Sequence, residues 1–206
     1  MVRVKSKILL KRKVFMLRSK RTIIILTILI IIAASFVVYR NCISEEGIFD
    51  NVLNGRSYNI YEIQKPISFT AFIEPDWIPE NENEVIELNK EIGKAGRVEI
   101  ILENVMHRGN DIYFSFNAKP FISFHDGEFL YHYEFNEDGA ATSYFLADAY
   151  NVYDKNSNKI DVGQKGFGPI SKFSFGIEIK NYDAIKEGFT LEFNGGILYR
   201  YTHKLR

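Results

Sequence analysis

The sequence predicts a mainly β protein, an antiparallel sandwich carried behind a single transmembrane helix. Three observations lead there. One uncharged apolar run near the N-terminus is long enough to cross a bilayer. Beyond it, apolar residues recur with period two in many short segments. Between those segments fall Gly, Asn, Asp and Pro in turn-forming combinations.

The apolar run comes first. Thr22 to Tyr39 is eighteen residues without a charge. As a helix it spans roughly 27 Å, close to the hydrocarbon thickness of a membrane. Its β-branched Ile residues are poor helix formers in water, but in lipid a lone segment satisfies its backbone only as a helix. Residues 1–40 carry five Lys and five Arg and no acid, and nine of the ten cations precede the run. Arg18, Lys20 and Arg21 are the nearest. Positive charge stays on the cytoplasmic side, so residues 1–21 are expected inside and the remainder outside, a single-pass topology. A cleaved signal peptide is the rival reading, with Ile23 to Ile32 as its hydrophobic part and Ala33-Ala34-Ser35 before the cut. Phe36 to Tyr39 prolong the apolar run and favour the uncleaved anchor. Cys42 follows Tyr39-Arg40-Asn41 and lacks the small apolar residues of a lipid-attachment site.

Charge narrows the partners. The chain is formally neutral, with 26 cations and 26 carboxylates. The ten cations of residues 1–40 leave sixteen for the rest, which is therefore near −10. That balance argues against nucleic acid as a partner of the outer part. The basic tail is read as a topology determinant that meets anionic headgroups of the lipid bilayer. Cys42 is the lone cysteine, so no intramolecular disulfide can form and packing must hold the fold.

Residues 40–56 are polar and read as a spacer. Residues 57–206 read as the outer domain. There Ile67, Phe69, Ala71 and Ile73 alternate with Ser68 and Thr70, Val98, Ile100 and Leu102 with Glu99 and Glu103, and Ile112, Phe114 and Phe116 with Tyr113, Ser115 and Asn117. Phe173, Phe175, Ile177 and Ile179 follow, and then Phe189, Leu191 and Phe193. Each set is the mark of a strand with one buried face. Val85 to Ile92 fits a strand or a short helix, and its neighbours favour a strand. Arg108-Gly109-Asn110-Asp111, Asp126-Gly127, Asp138-Gly139 and Asn194-Gly195-Gly196 read as hairpin turns. The five prolines fall between strands, where a missing N–H costs no ladder bond. Eight to eleven short strands at this spacing point to an antiparallel sandwich.

Two stretches carry a resemblance. Ile86 to Ala118, IELNKEIGKAGRVEIILENVMHRGNDIYFSFNA, has an Asn-bearing strand, a Gly turn, a VEIILENV strand and a second aromatic strand. Leu146 to Val162, LADAYNVYDKNSNKIDV, contains a polar hairpin. Over Ile86 to Arg206 the chain resembles the immunoglobulin-like extracytoplasmic domains that follow a single span in Gram-positive membrane proteins, including anti-sigma-factor-like ones. The resemblance implies an immunoglobulin-like β-sandwich and no catalytic residues. It also departs from the anti-sigma pattern, since a strongly basic stretch of 21 residues is no folded cytoplasmic part for holding a sigma factor.

The motifs for chemistry are weak. Asp154, Asn156 and Asn158 match the first half of a calcium loop, but Lys159 and Lys165 stand where Gly and the closing Glu belong. A hairpin turn is the better reading. His125 and His132 suggest zinc, yet a two-residue turn at Asp126-Gly127 would hold them about four residues apart, roughly 13 Å, too far to share one ion. Gly163 to Pro169 is glycine-rich without a following helix for a phosphate, and reads as a flexible loop or a lid. No nucleophile elbow is present, and no metal or cofactor is expected.

Aromatics supply the remaining candidates. Phe129, Tyr131, Tyr133 and Phe135 form a stripe opposite Leu130, His132 and Glu134. Such a stripe is ordinarily core, and Tyr131 and Tyr133 are a candidate ligand platform only if both faces are apolar. Trp77, in a Pro-rich loop, is either a plug at the end of the sandwich or an exposed anchor. The function expected is a non-catalytic binding or accessory module of the cell envelope, with an envelope protein as partner. A signalling protein with an outer sensor, or an envelope enzyme with a cryptic site, are the alternatives.

Overall fold

The computed structural model describes residues 2–136, 140–168 and 171–205, with side chains from Thr22 onward. The chain divides into two compact units, Met1–Asn51 and Val52–Arg206. In the first, helix α1 runs over Val2–Cys42. Its Thr22–Cys42 segment has a mean hydropathy of 2.8 and presents its apolar side chains to the surroundings. It is long and apolar enough to cross a membrane, a property that an anchor and a signal sequence share.

Residues 40–56, read from the sequence as a spacer, contain a short helix. After Cys42 the chain turns and forms α2, Glu45–Leu53. Ser44 caps it, accepting the Gly47 N–H on its hydroxyl at 3.2 Å and the Ile48 N–H on its carbonyl at 2.9 Å. Glu45 and Glu46 stand in the first turn, where the helix dipole favours acids. Ile48, Phe49 and Val52 share one buried face.

The second unit is β. Its strands are β1 (Tyr58–Gln64), β2 (Ile67–Ile73), β3 (Val85–Ala95), β4 (Val98–Arg108), β5 (Asp111–Lys119), β6 (Asp126–Tyr131) and β7 (Tyr133–Phe135). There follow β8 (Ala141–Ser143), β9 (Tyr150–Tyr153), β10 (Lys159–Ile160), β11 (Lys165–Phe167), β12 (Lys172–Glu178), β13 (Phe189–Gly195) and β14 (Ile197–His203). Every named pairing is antiparallel. A five-stranded sheet has the order β11-β12-β5-β4-β3, and a four-stranded sheet the order β10-β9-β13-β2. A three-stranded sheet, β1-β14-β6, and the β7-β8 ribbon complete the unit. The segment Val85 to Ile92 is strand, with Ile86, Leu88 and Ile92 half-buried.

The five- and four-stranded sheets meet face to face through rings. Phe114 lies edge-on to Phe189 at 5.2 Å, Phe173 stacks on Phe193 at 4.8 Å, and Tyr150 meets Phe175 at 5.1 Å. The alternating residues named from the sequence are the ones inside: Phe114, Phe116, Phe173, Phe175, Leu191 and Phe193 are all buried. Burial of such faces, at about 25 cal/mol per Å² of apolar surface, is what a chain without disulfides relies on.

Two turns hold as expected. Arg108 pairs with Asp111 across Gly109-Asn110, with Gly109 at φ +58°. Tyr153 pairs with Lys159 across the Asp154 loop. Two do not. Asp126-Gly127 is no turn but the start of β6, paired with Thr202 and Tyr201. The chain instead reverses between Phe121 and Glu128, which exchange hydrogen bonds of 2.9 Å. Gly127 is required by crowding, since a Cβ there would lie 2.4 Å from the Phe121 carbonyl oxygen and from the Tyr201 ring. Asn194-Gly195-Gly196 is no hairpin either. There β13 leaves the four-stranded sheet and continues as β14 in the three-stranded one, with Gly196 at φ +69°. Opposite it, β1 becomes β2 through the cis Lys65-Pro66 bond. The paired strands thus bend together at one corner, as at the corners of orthogonally packed sheets. The Asp138-Gly139 turn and Pro169 lie outside the described residues.

Candidate ligand-binding groove

Beyond the Leu130–Leu198 contact with the core, β14 and β6 carry charge on the same face: Arg200 pairs with Glu128, and Asp126 follows at the strand start. The β3–β4 turn supplies Gly96 and Arg97. Together with Ile63 of β1 these residues line a groove of about 450 Å³.

Glu128 organises it. The residue is 2% exposed. Its Oε2 accepts the Arg97 backbone N–H at 2.8 Å, and its Oε1 accepts Arg200 Nε and Nη2 at 3.0 and 2.7 Å. Arg97 Nε stands 3.3 Å from the same Oε1, and Arg97 Nη2 donates to Asp126 at 2.9 Å. The Arg97 guanidinium also lies over the Phe121 ring at 4.4 Å. Burial pushes the Glu128 carboxyl up, but the Arg97 N–H and the two guanidinium groups outweigh it and hold the group below the usual carboxylate range. Gly96 makes the geometry fit: at φ +57° it allows the turn, and a Cβ would lie 2.4 Å from Glu128 Oε2. Chemically, the groove offers two oriented guanidinium groups beside a hydrophobic wall, with four charges that balance. Both of its carboxylates, Asp126 and Glu128, are paired with guanidinium groups.

Sequence reading missed Arg97, Glu128 and Arg200. They are far apart in the chain and meet through the register of β6 on β14 and the approach of the β3–β4 turn, so no local spacing marks them. A local signal for α2 did exist: Ser44 followed by two acids and then Ile48, Phe49 and Val52 at helical spacing.

The residues singled out from the sequence sit elsewhere. Tyr131 and Tyr133 are 5.1 Å apart on the outer side of the three-stranded sheet. Tyr131 is half-buried and stacked on Phe135 at 5.5 Å, while Tyr133 is 40% exposed. Phe129 is buried there with Tyr199 and Tyr201. The hydroxyl of Tyr199 donates to the Tyr133 carbonyl and accepts from Phe135 N–H, and Tyr201 does the same with Ser123. Both faces of β6 are therefore packed, and the stripe has its own small core. Trp77 lies in a 3-10 turn, Pro75–Trp77, packed against the main core. It does not join the tyrosines. Arg18, Lys20 and Arg21 lie on α1, and their side chains are outside the described residues.

The metal candidates do not assemble. Asp154 Oδ1 accepts the N–H groups of Asn156 and Asn158 at 2.8 Å, and Oδ2 accepts the Asn158 amide at 2.9 Å. The carboxylate closes its own turn, and the Asn158 amide above all holds its pKa down. His125 rests on Phe124, while His132 is buried between Phe167 and Phe173. The Asp126-Gly127 turn from which their separation was reckoned is absent, yet they remain in different surroundings. Among the described residues, no three His, Cys, Asp or Glu side chains come together to hold an ion.

No family model, no curated protein and no solved structure matches this chain.

Proposed function

We propose that the chain is a membrane-anchored, extracytoplasmic, non-catalytic binding or accessory module of the bacterial cell envelope. Its β unit is an immunoglobulin-like sandwich held outside the membrane and presenting its groove to an envelope protein. The observation that carries this reading is the 21-residue apolar helix with exposed side chains that precedes a separately compact β unit. Its Thr22 to Tyr39 stretch carries no charge, and such a helix is costly in water and at home in lipid. The cation excess of residues 1–21 supports an inside N-terminus. The two-layer antiparallel packing supports the immunoglobulin-like assignment, and the paired charges of the groove suit a polar protein surface.

Carbonate extraction of membranes tests the anchor. The full-length chain is expected in the pellet, with residues after Cys42 open to external protease. A soluble species beginning at Phe36 would overturn the anchor in favour of a cleaved signal. Protection of the β unit from external protease would overturn the topology.

A further inference from the structure

Among the described residues, His132 is a buried side chain whose two ring nitrogens the fold leaves without a hydrogen-bond partner. It is 2% exposed, and neither ring nitrogen makes a hydrogen bond. Buried polar groups are ordinarily satisfied, so an orphaned imidazole requires a reason. Its ring is covered by Phe167 at 4.2 Å and rests on Phe173 at 5.7 Å. Phe167 ends β11, a three-residue edge strand bonded only to β12. Gly163, Gly166 and Gly168 surround it, and Phe145, half exposed, is the ring packed on its outer side at 5.5 Å.

We propose that β11 is an acid-opened flap, with His132 as the proton-sensing group beneath Phe167. Closed, the flap keeps the imidazole neutral and dry. A proton on His132 would find no counter-charge there, and moving Phe167 away admits water to the ring. Opening also leaves β12 as the edge of its sheet and uncovers the Phe173 ring. This inference stands apart from membrane anchoring.

The charged groups nearby are paired or bonded elsewhere, and the Tyr150 hydroxyl is itself buried without a hydrogen-bond partner. On the same segment, Tyr133 rests against the Tyr131 ring at 5.1 Å and Glu134 is paired with Lys65 at 2.5 Å. From β11, the Lys165 ammonium is bonded to the Ala147 carbonyl. From β12, Lys172 is paired with Glu103 at 3.0 Å. Tyr144, whose N–H donates to the His132 carbonyl, lies beneath the Lys65 ammonium. Tyr150 meets Phe173 from the facing sheet, and burial keeps its phenol protonated. The corner offers only Gly196.

Burial alone lowers the His132 pKa to about 4 in the closed form, from 6.5 for an open imidazole. A proton therefore binds the open form better. The advantage of the closed form is whole above pH 6.5 and is lost as pH falls toward 4. Between pH 7 and pH 5 the open-to-closed ratio rises about 20-fold by linkage.

Amide hydrogen exchange on the detergent-solubilised full chain reads this directly. The Gly168 N–H, bonded to the Lys172 carbonyl at 2.8 Å, reports the flap. The Phe121 N–H, bonded to Glu128, reports the rest of the β unit. Corrected for intrinsic rates, Gly168 protection is expected to fall about 20-fold from pH 7 to pH 5 while Phe121 protection holds. His132→Leu is expected to abolish that fall. Unchanged Gly168 protection in the wild-type chain overturns the proposal, as does a parallel loss at Phe121, which would mean general acid unfolding. A His132→Leu chain that keeps the pH response overturns it too. If that variant does not fold, the wild-type comparison of the two amides still decides.

Discussion

The Nε and Nη2 atoms of Arg200 both point at Oε1 of Glu128, at 3.0 and 2.7 Å, across neighbouring strands β14 and β6. The side chains are unequally placed, with Glu128 3% exposed and Arg200 51%. The carboxylate has lost its water and depends on its donors, whereas the arginine has not. Arg200→Met should therefore destabilise the β unit by about 2 kcal/mol in urea melts, below the 3–5 kcal/mol of a fully buried pair. A loss under about 0.5 kcal/mol would mean that Arg97 alone suffices.

The same carboxylate sets a pH dependence. Its folded pKa is lowered, so its stabilising contribution is present above the unfolded value near 4.5 and is lost as pH falls through the folded one. Glu128→Gln should flatten the stability profile below pH 4.5 relative to the wild-type chain. Parallel profiles for the two would count against this role.

Gly96 and Gly109 make a matched pair, at φ +57° and +58°. Around Gly109 nothing lies within 4 Å of an added Cβ, whereas at Gly96 Glu128 Oε2 lies at 2.4 Å. Gly109→Ala should cost only the backbone term, about 1–2 kcal/mol. Gly96→Ala should cost about 1–3 kcal/mol more, because the carboxylate must shift. Equal losses would show that Glu128 adapts freely.

Phe175 is 1% exposed and packed on Phe114, Phe116 and Tyr150 at 5.1, 5.7 and 5.1 Å. Phe175→Ala should cost about 3–5 kcal/mol. A cost below about 1 kcal/mol would mean that the ring is not at the sheet interface.

Calcium should be nearly inert. Asp154 spends both oxygens on its own turn, so 1 mM calcium should leave the melting temperature within about 1 °C. A rise of several degrees, abolished by Asp154→Ala, would turn that hairpin into a true site.

What was legible in the sequence follows from what is local. Period-two alternation around Phe114, Phe175 and Leu191 located the core, because side-chain direction in a strand is set by parity alone. Gly109-Asn110 was readable because two residues complete that turn. Gly127 and Gly196 were misread as hairpin turns because glycine serves crowding and corners as well as reversals. What distinguishes these uses is the Tyr201 ring or the bend opposite Pro66, far away in sequence. Glu128 was invisible for the same reason, since its two guanidinium groups reach it from strand β14 and from the β3–β4 turn. His132 was read as one member of a pair with His125, whereas its meaning lies in the Phe167 ring placed over it by β11.

The corner at Pro66 and Gly196 has a consequence for biogenesis. It joins the first two strands of the β unit to the last two, with Tyr58 opposite His203 and Ile67 opposite Gly195. A chain emerging from its N-terminus displays β1 and β2 with no partner until β13 and β14 have appeared. Contacts of such long range make for slow folding, and unpaired strand edges invite wrong pairings meanwhile. Whatever machinery handles this chain must therefore keep β1 and β2 apart from other strands until β13 and β14 have been delivered.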